Sequence, residues 1–243
     1  LVRSRGLGDV YKRQVLADIK ARKNSSFEFP YTFSASYSNT HSEFESYNVI
    51  GLIRGSDPKL KDEYVVHSAH LDHVGIGKPE SGDSIYNGAH DNASGVASLL
   101  EIARIYKNGN AKPKRSVLIV MVTAEEMGLV GSAYFAANPT VPKSAIVADV
   151  NTDMPTVIAP LLSVVPLGAE HSSILGNVRF AADYLGLDIE ADPEPEQNRF
   201  VRSDQYSFVV SGIPALHIKY GNKTNVPGSV SYTHLRAHET VLD

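Results

Sequence analysis

Apolar runs rich in β-branched residues alternate with helical patterns along most of the chain. Six such runs predict β-strands, and they cover residues 47–54, 64–69, 117–123, 144–153, 156–165 and 214–219. Apolar residues at helical spacing predict helices after Asp91 and over residues 130–137, 172–184 and 204–211. This alternation is typical of an α/β fold, here a mostly parallel, twisted central sheet flanked by helices in three layers.

Turn-forming residues separate these elements. Residues 75–87 are rich in Gly and Ser, and residues 192–196 are interrupted by proline, so both stretches are predicted to be loops. The run at 47–54 has the character of an edge strand at the start of the domain.

The two ends of the chain differ in origin from the rest. A single DNA sequence can encode residues 4–14 on one strand and residues 230–239 on the complementary strand, and it resembles a sequencing-library adapter. We therefore expect residues 1–14 and 229–243 to be non-native tails, which are left out of fold reasoning. Residues 15–46 are expected to be the exit from a preceding module that was cut off, and residues 47–228 to form one domain that is truncated at its C-terminal end.

Composition narrows the classes of partner. The formal net charge is −4, and it becomes −6 when the five basic and three acidic residues of the two tails are left out. This acidity argues against nucleic acid or an anionic membrane surface as the partner. The chain has no cysteine, which excludes disulfides and thiolate metal ligands. The sequence contains no apolar run of membrane-spanning length.

Chemically distinctive residues follow the ends of three apolar runs. His70 follows the second predicted strand, Glu125 and Glu126 follow the third, and Asp153 ends the fourth. Ligands of open α/β sheets bind at the carboxyl ends of the strands, so these side chains are expected at one edge. Asp91 lies among small neighbours, which leaves room for a close approach to its carboxylate.

Each of these residues also has an ordinary structural explanation. His70 and Asp72 could form a surface ion pair, and Asp91 could cap the helix that follows it. Four carboxylates at one buried edge, however, repel one another unless a cation is present. Oxygen ligands with an imidazole suit zinc, with manganese or cobalt as alternatives.

The motifs that contain these residues resemble peptidase family M28, the co-catalytic zinc aminopeptidases, in its bacterial form. They are His70-x-Asp72, Gly88-Ala89-x-Asp91-Asn92-Ala93-Ser94-Gly95, Ala124-Glu125-Glu126-x-Gly128-Leu129-x-Gly131-Ser132 and Asp153-Met154. The similarity continues through Arg202-Ser203-Asp204-Gln205 and Gly212-Ile213-Pro214-Ala215. The resemblance implies a zinc-exopeptidase fold, in which residues 47–228 would form the catalytic domain.

The resemblance also implies a role for each matching residue. His70 and Asp153 would hold one zinc ion, Glu126 would hold a second, and Asp91 would bridge the two. Glu125 would be the general base that takes a proton from the attacking water. Asp72 would orient His70, and the peptide bond after Asp91 is expected to be cis.

One family ligand has no counterpart in the authentic part of the sequence. The family completes the Glu126 site with a final His, usually after a Tyr; here a similar Tyr232-Thr233-His234 lies in the tail. His217 is expected to have a core or loop role, and His41, His67, His73, His90 and His171 match no ligand position. We therefore expect one firmly bound zinc, a weakly bound second zinc and little or no peptidase activity in this fragment.

Three functions follow from the resemblance. The favoured one is an exported aminopeptidase that removes N-terminal residues from peptides with two zinc ions, its signal region lying outside this sequence. The second is another hydrolase on the same scaffold, a carboxypeptidase or an amide deacylase. The third is a catalytically dead relative that serves as a binding ectodomain. Zinc content separates the third from the others, and substrates with free or blocked amines separate the first two.

Overall fold

A computed structural model describes residues 16–23, 34–80, 82–109, 112–155 and 160–223. The chain divides into two compact units, Leu1–Phe44 and Glu45–Asp243. In the first unit, the described residues form a short helix at 16–20, and residues 34–44 have no regular secondary structure. The expected tails, 1–14 and 229–243, lie outside the described residues.

The second unit is built on a seven-stranded sheet. Its strands are β1 (Val49–Ile53), β2 (Tyr64–His70), β5 (Ser116–Val122), β6 (Ile146–Asn151), β7 (Ser163–Leu167), β8 (Asp188–Ile189) and β9 (Ala215–Tyr220). Their order is β1-β5-β2-β6-β9-β7-β8. Strands β5, β2, β6 and β9 are parallel neighbours, whereas β1 pairs antiparallel with β5 and β7 antiparallel with β9. The sheet is therefore mixed and parallel at its centre, as expected.

Within the described residues, four α-helices cover the two faces of this sheet. They are α1 (Ser94–Asn108), α2 (Val130–Ala137), α3 (Ile174–Leu185) and α4 (Gln205–Val210). Because side chains alternate along a strand, β5 contributes to both layers. Leu118 and Val120 pack with Phe135 of α2 and Phe208 of α4 on one face. On the other face, Ile119 packs with Leu99 of α1, and α3 packs on β9. This three-layer arrangement confirms the predicted α/β fold.

Two predictions about local structure were wrong. Residues 75–87 were expected to be a loop, but Gly75–Glu80 (β3) and Asp83–Tyr86 (β4) pair as an antiparallel hairpin. The strand expected at 156–165 begins at Ser163, and residues 160–162 are irregular. Pro160 cannot donate a hydrogen bond to a neighbouring strand, which is consistent with the later start. Residues 156–159 lie outside the described residues.

Candidate metal centre

The three loops with the candidate ligands lie side by side. Strand β2 lies between β5 and β6 in the sheet, and all three run parallel. Their carboxyl ends therefore meet at one edge, where β2 ends in His70. The peptide N–H of Leu71 donates to the carbonyl of Val122 at 2.8 Å, and that of Thr152 donates to Ser68 at 2.9 Å. These hydrogen bonds fix the starts of the loops relative to one another.

His70 is held with one ring nitrogen aimed at carboxylates. Its Nδ1–H donates to the carbonyl oxygen of Asp72 at 3.0 Å. Its Nε2 lies 3.1 Å from Oδ1 of Asp91 and 3.6 Å from Oδ1 of Asp153, and the ring is 1% exposed. Burial lowers the pKa of His70, but Asp153 and Asp91 raise it, and the net result is a pKa of about 11. The carboxylates around His70 therefore favour a positive charge at this position.

Asp91 sits in a kinked turn, Ala89–Ala93, that precedes α1, and the backbone of Asp91 (φ −107°, ψ 91°) and Asn92 (φ −138°, ψ 39°) is not helical there. The Asp91–Asn92 peptide bond is cis, which confirms the expectation drawn from the resemblance. The buried Asn92 side chain anchors this turn to the loop after β6. Its Nδ2 donates to the carbonyl of Thr152 at 3.1 Å, and its Oδ1 accepts from the peptide N–H groups of Gly95 and Met154 at 2.9 and 3.2 Å.

Asp153 is buried and supported from two other elements. Ser203 donates from Oγ to Oδ2 of Asp153 at 2.7 Å. His217 of β9 lies with Nε2 3.1 Å from the Asp153 carbonyl, so its ring supports the backbone here. Burial raises the pKa of Asp153, but His70 and neighbouring positive charges outweigh it and hold that pKa well below its usual value. The next residue, Met154, has φ 50°, a rare backbone conformation that turns the chain away.

Glu125 and Glu126 are positioned by the backbone and by Asp72. Ala124 has φ 55°, another left-handed residue immediately before the pair. The Asp72 carboxylate accepts from the peptide N–H groups of Glu125 and Glu126 at 3.1 and 3.3 Å. Asp72 therefore contacts His70 through its carbonyl and the glutamates through its side chain. Burial is the main cause that raises the pKa of Glu125 to about 8.

The ligand atoms of these side chains form two groups. The first group contains His70, Glu125 and Asp153, and the second contains His73, Asp91 and Glu126. Within each group, the nitrogen and carboxylate oxygen atoms lie within 4.8 Å of one another. Sequence reasoning assigned no ligand position to His73. The sequence signal that could have identified His73 was a second histidine three residues after His70, which ends strand β2. The direction of the His73 ring depends on the conformation of the loop, which the motif alone does not determine.

A cavity of about 210 Å³ opens onto both groups. Its lining combines acidic, basic and other side chains, namely Asp91, Glu125, Glu126, Asp153, Met154, Gln197, Arg199, Arg202, Ser203, His217 and Lys219. The Arg199 guanidinium pairs with Glu194, whereas Arg202 is exposed. A small polar molecule therefore has access to the carboxylates and to cationic groups together.

The donor set fits divalent cations. Among the buried atoms that have no hydrogen-bond partner in the described residues, three belong to the two ligand groups, namely His70 Nε2, His73 Nδ1 and Asp153 Oδ1. Buried polar atoms are normally paired, so each of these needs a partner. Because Nδ1–H of His70 donates a hydrogen bond to the carbonyl oxygen of Asp72, Nε2 is the ring nitrogen that faces Asp91 and Asp153 and that would hold a metal. Nitrogen and carboxylate donors of this kind suit zinc.

Comparison with known proteins then decides the family. The model of peptidase family M28 matches residues 48–238. The chain belongs to this family. Within the described residues of this family member, no helix is both long enough and apolar enough to cross a membrane.

Two curated relatives and one solved structure illustrate the likeness. Leupeptin-inactivating enzyme 1 of Streptomyces exfoliatus is 30% identical over 72% of this M28 chain. Rat carboxypeptidase Q is 32% identical over 48% of the chain. The chain spans 36% and 23% of the length of these two relatives. A zinc aminopeptidase from Bacillus subtilis shares the fold, with TM-score 0.54 and 24% identity over 73% of this chain and 41% of its own.

Proposed function

We propose that this domain is a zinc-dependent aminopeptidase that hydrolyses the N-terminal residue from peptides. The observation that supports it best is the position of Glu125. This carboxyl lines the same cavity as Asp91, Glu126 and Asp153, and its ligand atom is grouped with those of His70 and Asp153. Family membership and the aminopeptidase named among the similar structures support the same reaction class.

Two zinc ions are proposed for the complete centre. His70, Asp91 and Asp153 would hold one of them, and Glu126 with a share of Asp91 would hold the other. Zinc bound there would supply Lewis acidity, which polarises a carbonyl group and lowers the pKa of water.

Glu125 is proposed as the general base, and Asp72 as the residue that positions it. The raised pKa of Glu125 makes this carboxyl a better proton acceptor near neutral pH than an exposed glutamate. It would take a proton from the attacking water and return it to the leaving amine. The Asp72 carboxylate holds the backbone of Glu125 through the peptide N–H at 3.1 Å, which limits its movement toward or away from the cavity.

A carboxypeptidase is the second candidate, and the basic residues of the cavity lining favour it. Arg202 and Lys219 line the same cavity as the acidic groups. Cationic side chains there would attract the free carboxylate at the C-terminus of a peptide. Rat carboxypeptidase Q is also among the relatives.

A substrate panel on the zinc-loaded chain tests the proposal. Each peptide is offered with a free amine, with an acetylated amine and with an amidated C-terminus. An aminopeptidase cleaves the amidated peptide and not the acetylated one, whereas a carboxypeptidase shows the reverse preference. A chain that binds no zinc and cleaves none of these would instead support the binding-ectodomain alternative.

A further inference from the structure

The loop after β2 presents two imidazoles to Asp91. His70 ends the strand, and His73 follows three residues later. Oδ1 of Asp91 lies 3.1 Å from Nε2 of His70, and the Asp91 carboxylate is grouped with His73 and Glu126 within 4.8 Å. One carboxylate therefore lies within reach of both rings, as a shared ligand of two metal sites would.

The His73 ring is oriented toward the second group of ligand atoms. Its Nδ1 lies 2.8 Å from Oε1 of Glu126, and the two side chains are 18% and 26% exposed. This nitrogen is buried and has no hydrogen-bond partner among the described residues. The ring nitrogen and the carboxylate oxygen thus approach closely without forming a well-aligned hydrogen bond.

Gly88 leaves the space that the ring occupies. A Cβ atom at position 88 would lie 2.8 Å from Cβ and 2.9 Å from Cγ of His73, which is closer than atoms can pack. Gly88 also has φ 66°, which a residue with a side chain adopts at a cost. The turn that carries Asp91 and the ring of His73 are therefore fitted to each other.

We propose that His73 is the imidazole ligand of the second zinc ion, together with Glu126 and a share of Asp91. The inference rests on the proposed two-metal function. It replaces the expectation that the second site has carboxylate ligands alone, because an imidazole and two carboxylates form a three-ligand set of the kind that zinc sites use. The competing explanation is that His73 only donates a hydrogen bond to Glu126 and so positions it.

Metal counting on the 243-residue chain separates these explanations. The chain is dialysed against buffered zinc, and bound metal is measured by plasma emission for the wild type and for the variants His73→Ala, His73→Asn and His234→Ala. We expect two zinc ions in the wild type and one in both His73 variants. Asparagine can still donate a hydrogen bond from near the position of Nδ1, so a merely positioning His73 would be rescued by it.

The size of the effect gives a second criterion. Loss of a residue that only orients a ligand typically costs about 10–100-fold in metal affinity, and we expect a larger loss for the second zinc in His73→Asn. Histidine-ring 15N resonances recorded during zinc titration should show a change at Nδ1 of His73 with the second equivalent. His171→Ala, at an exposed histidine outside both groups, is the matched control and should bind as the wild type does.

The possible failures are distinguishable. Two zinc ions retained in both His73 variants would overturn the role of His73 and leave the two-metal function standing. Loss of the second zinc in His234→Ala alone would assign the site to His234 and also overturn it. One zinc in the wild type would mean that His73 does not complete the second site and would also overturn the proposal. No zinc at all would refute the proposed function itself.

Discussion

The carboxylates of the centre differ in how strongly they hold a proton. Burial raises the pKa of Glu125 to about 8, whereas His70 and nearby positive charges hold the pKa of Asp153 well below its usual value. Two carboxyls whose surroundings move their pKa values apart are suited to different tasks. Asp153 is suited to a permanent negative charge beside a cation, and Glu125 to accepting and releasing a proton.

Replacing Glu125 by Gln tests this division. We expect Glu125→Gln to keep its zinc content and to lose peptidase turnover by about 10²–10⁴-fold, since general acid–base catalysis contributes that much. Turnover and zinc content are measured on the same preparation. The exposed Glu170→Gln is the control and should keep both. A variant that is fully active with unchanged metal content would exclude Glu125 as the base.

His67 makes the stability of the domain depend on pH. Burial lowers the pKa of His67 to about 4, below its ordinary 6.5, and its ring lies 6.3 Å from that of Tyr106. As pH falls, His67 therefore becomes protonated at a higher pH in the unfolded chain than in the folded chain. Above pH 6.5 the neutral His67 makes its full contribution to the free energy of unfolding. That contribution, about 3 kcal/mol at most, is lost as pH falls from 6.5 to 4.

Denaturant unfolding of His67→Gln from pH 7 to pH 4 measures this effect. The variant should lose less stability over that range than the wild type, because glutamine does not titrate. The exposed His171→Gln should follow the wild type. Equal pH dependence in wild type and His67→Gln would show that His67 is not responsible.

At the scale of elements, the turn Ala89–Ala93 depends on one side chain. Asn92 makes three hydrogen bonds that join this turn to α1 and to the loop after β6. In Asn92→Ala these bonds are lost and buried partners are left unpaired, so we expect a loss of about 2–4 kcal/mol of stability. Zinc affinity should fall with it, because the turn also carries Asp91.

Thermal unfolding and zinc titration of Asn92→Ala check both effects. Asn138→Ala, at the exposed end of α2, is the control and should change stability by no more than about 0.5 kcal/mol. Unchanged stability and unchanged zinc affinity in Asn92→Ala would contradict the anchoring role.

The elements that the sequence predicted well are those with a buried face. Strands β2 and β5 and helices α1 and α2 pack against the core, and burial imposes the apolar periodicity that identifies them. The β3–β4 hairpin, in contrast, has exposed apolar residues such as Ile76 and Ile85 and carries no such pattern. It was therefore taken for a loop.

The candidate site was predicted through its motifs more than through its geometry. The five predicted site residues lie together, as expected for residues at the ends of parallel strands. Four of them line the cavity, namely Asp91, Glu125, Glu126 and Asp153, and His70 lies beside Asp153. His73 was not anticipated, because its position depends on a turn of the backbone and on the space beside Gly88. Contacts of that kind arise between distant parts of the chain and leave no local pattern.

At the scale of the whole molecule, bound metal should stabilise the fold. A ligand that binds the folded state alone, at 100 times its Kd, adds about 2.7 kcal/mol. For a domain of this size, that corresponds to roughly 5–10 °C in Tm. We expect the zinc-loaded chain to unfold at a Tm higher by at least this amount than the chain treated with a chelator.

Calorimetry with and without zinc provides the measurement. His70→Ala is the comparison, since it removes a candidate ligand from the first group and should reduce the response to zinc. Equal Tm values for the loaded and the chelated wild-type chain would contradict a metal centre in the folded domain.

The lining of the cavity comes from two stretches of the chain. Its acidic residues lie between residues 91 and 153, and its basic residues lie between residues 199 and 219. Ser203 and His217 of the second stretch contact Asp153, so substitutions there would disturb a metal-ligand candidate. Arg199 and Arg202 have no described hydrogen bond to those candidates. Over evolutionary time, a lineage with this layout could therefore change which molecules fit the cavity at these two positions and still inherit the same set of candidate ligands.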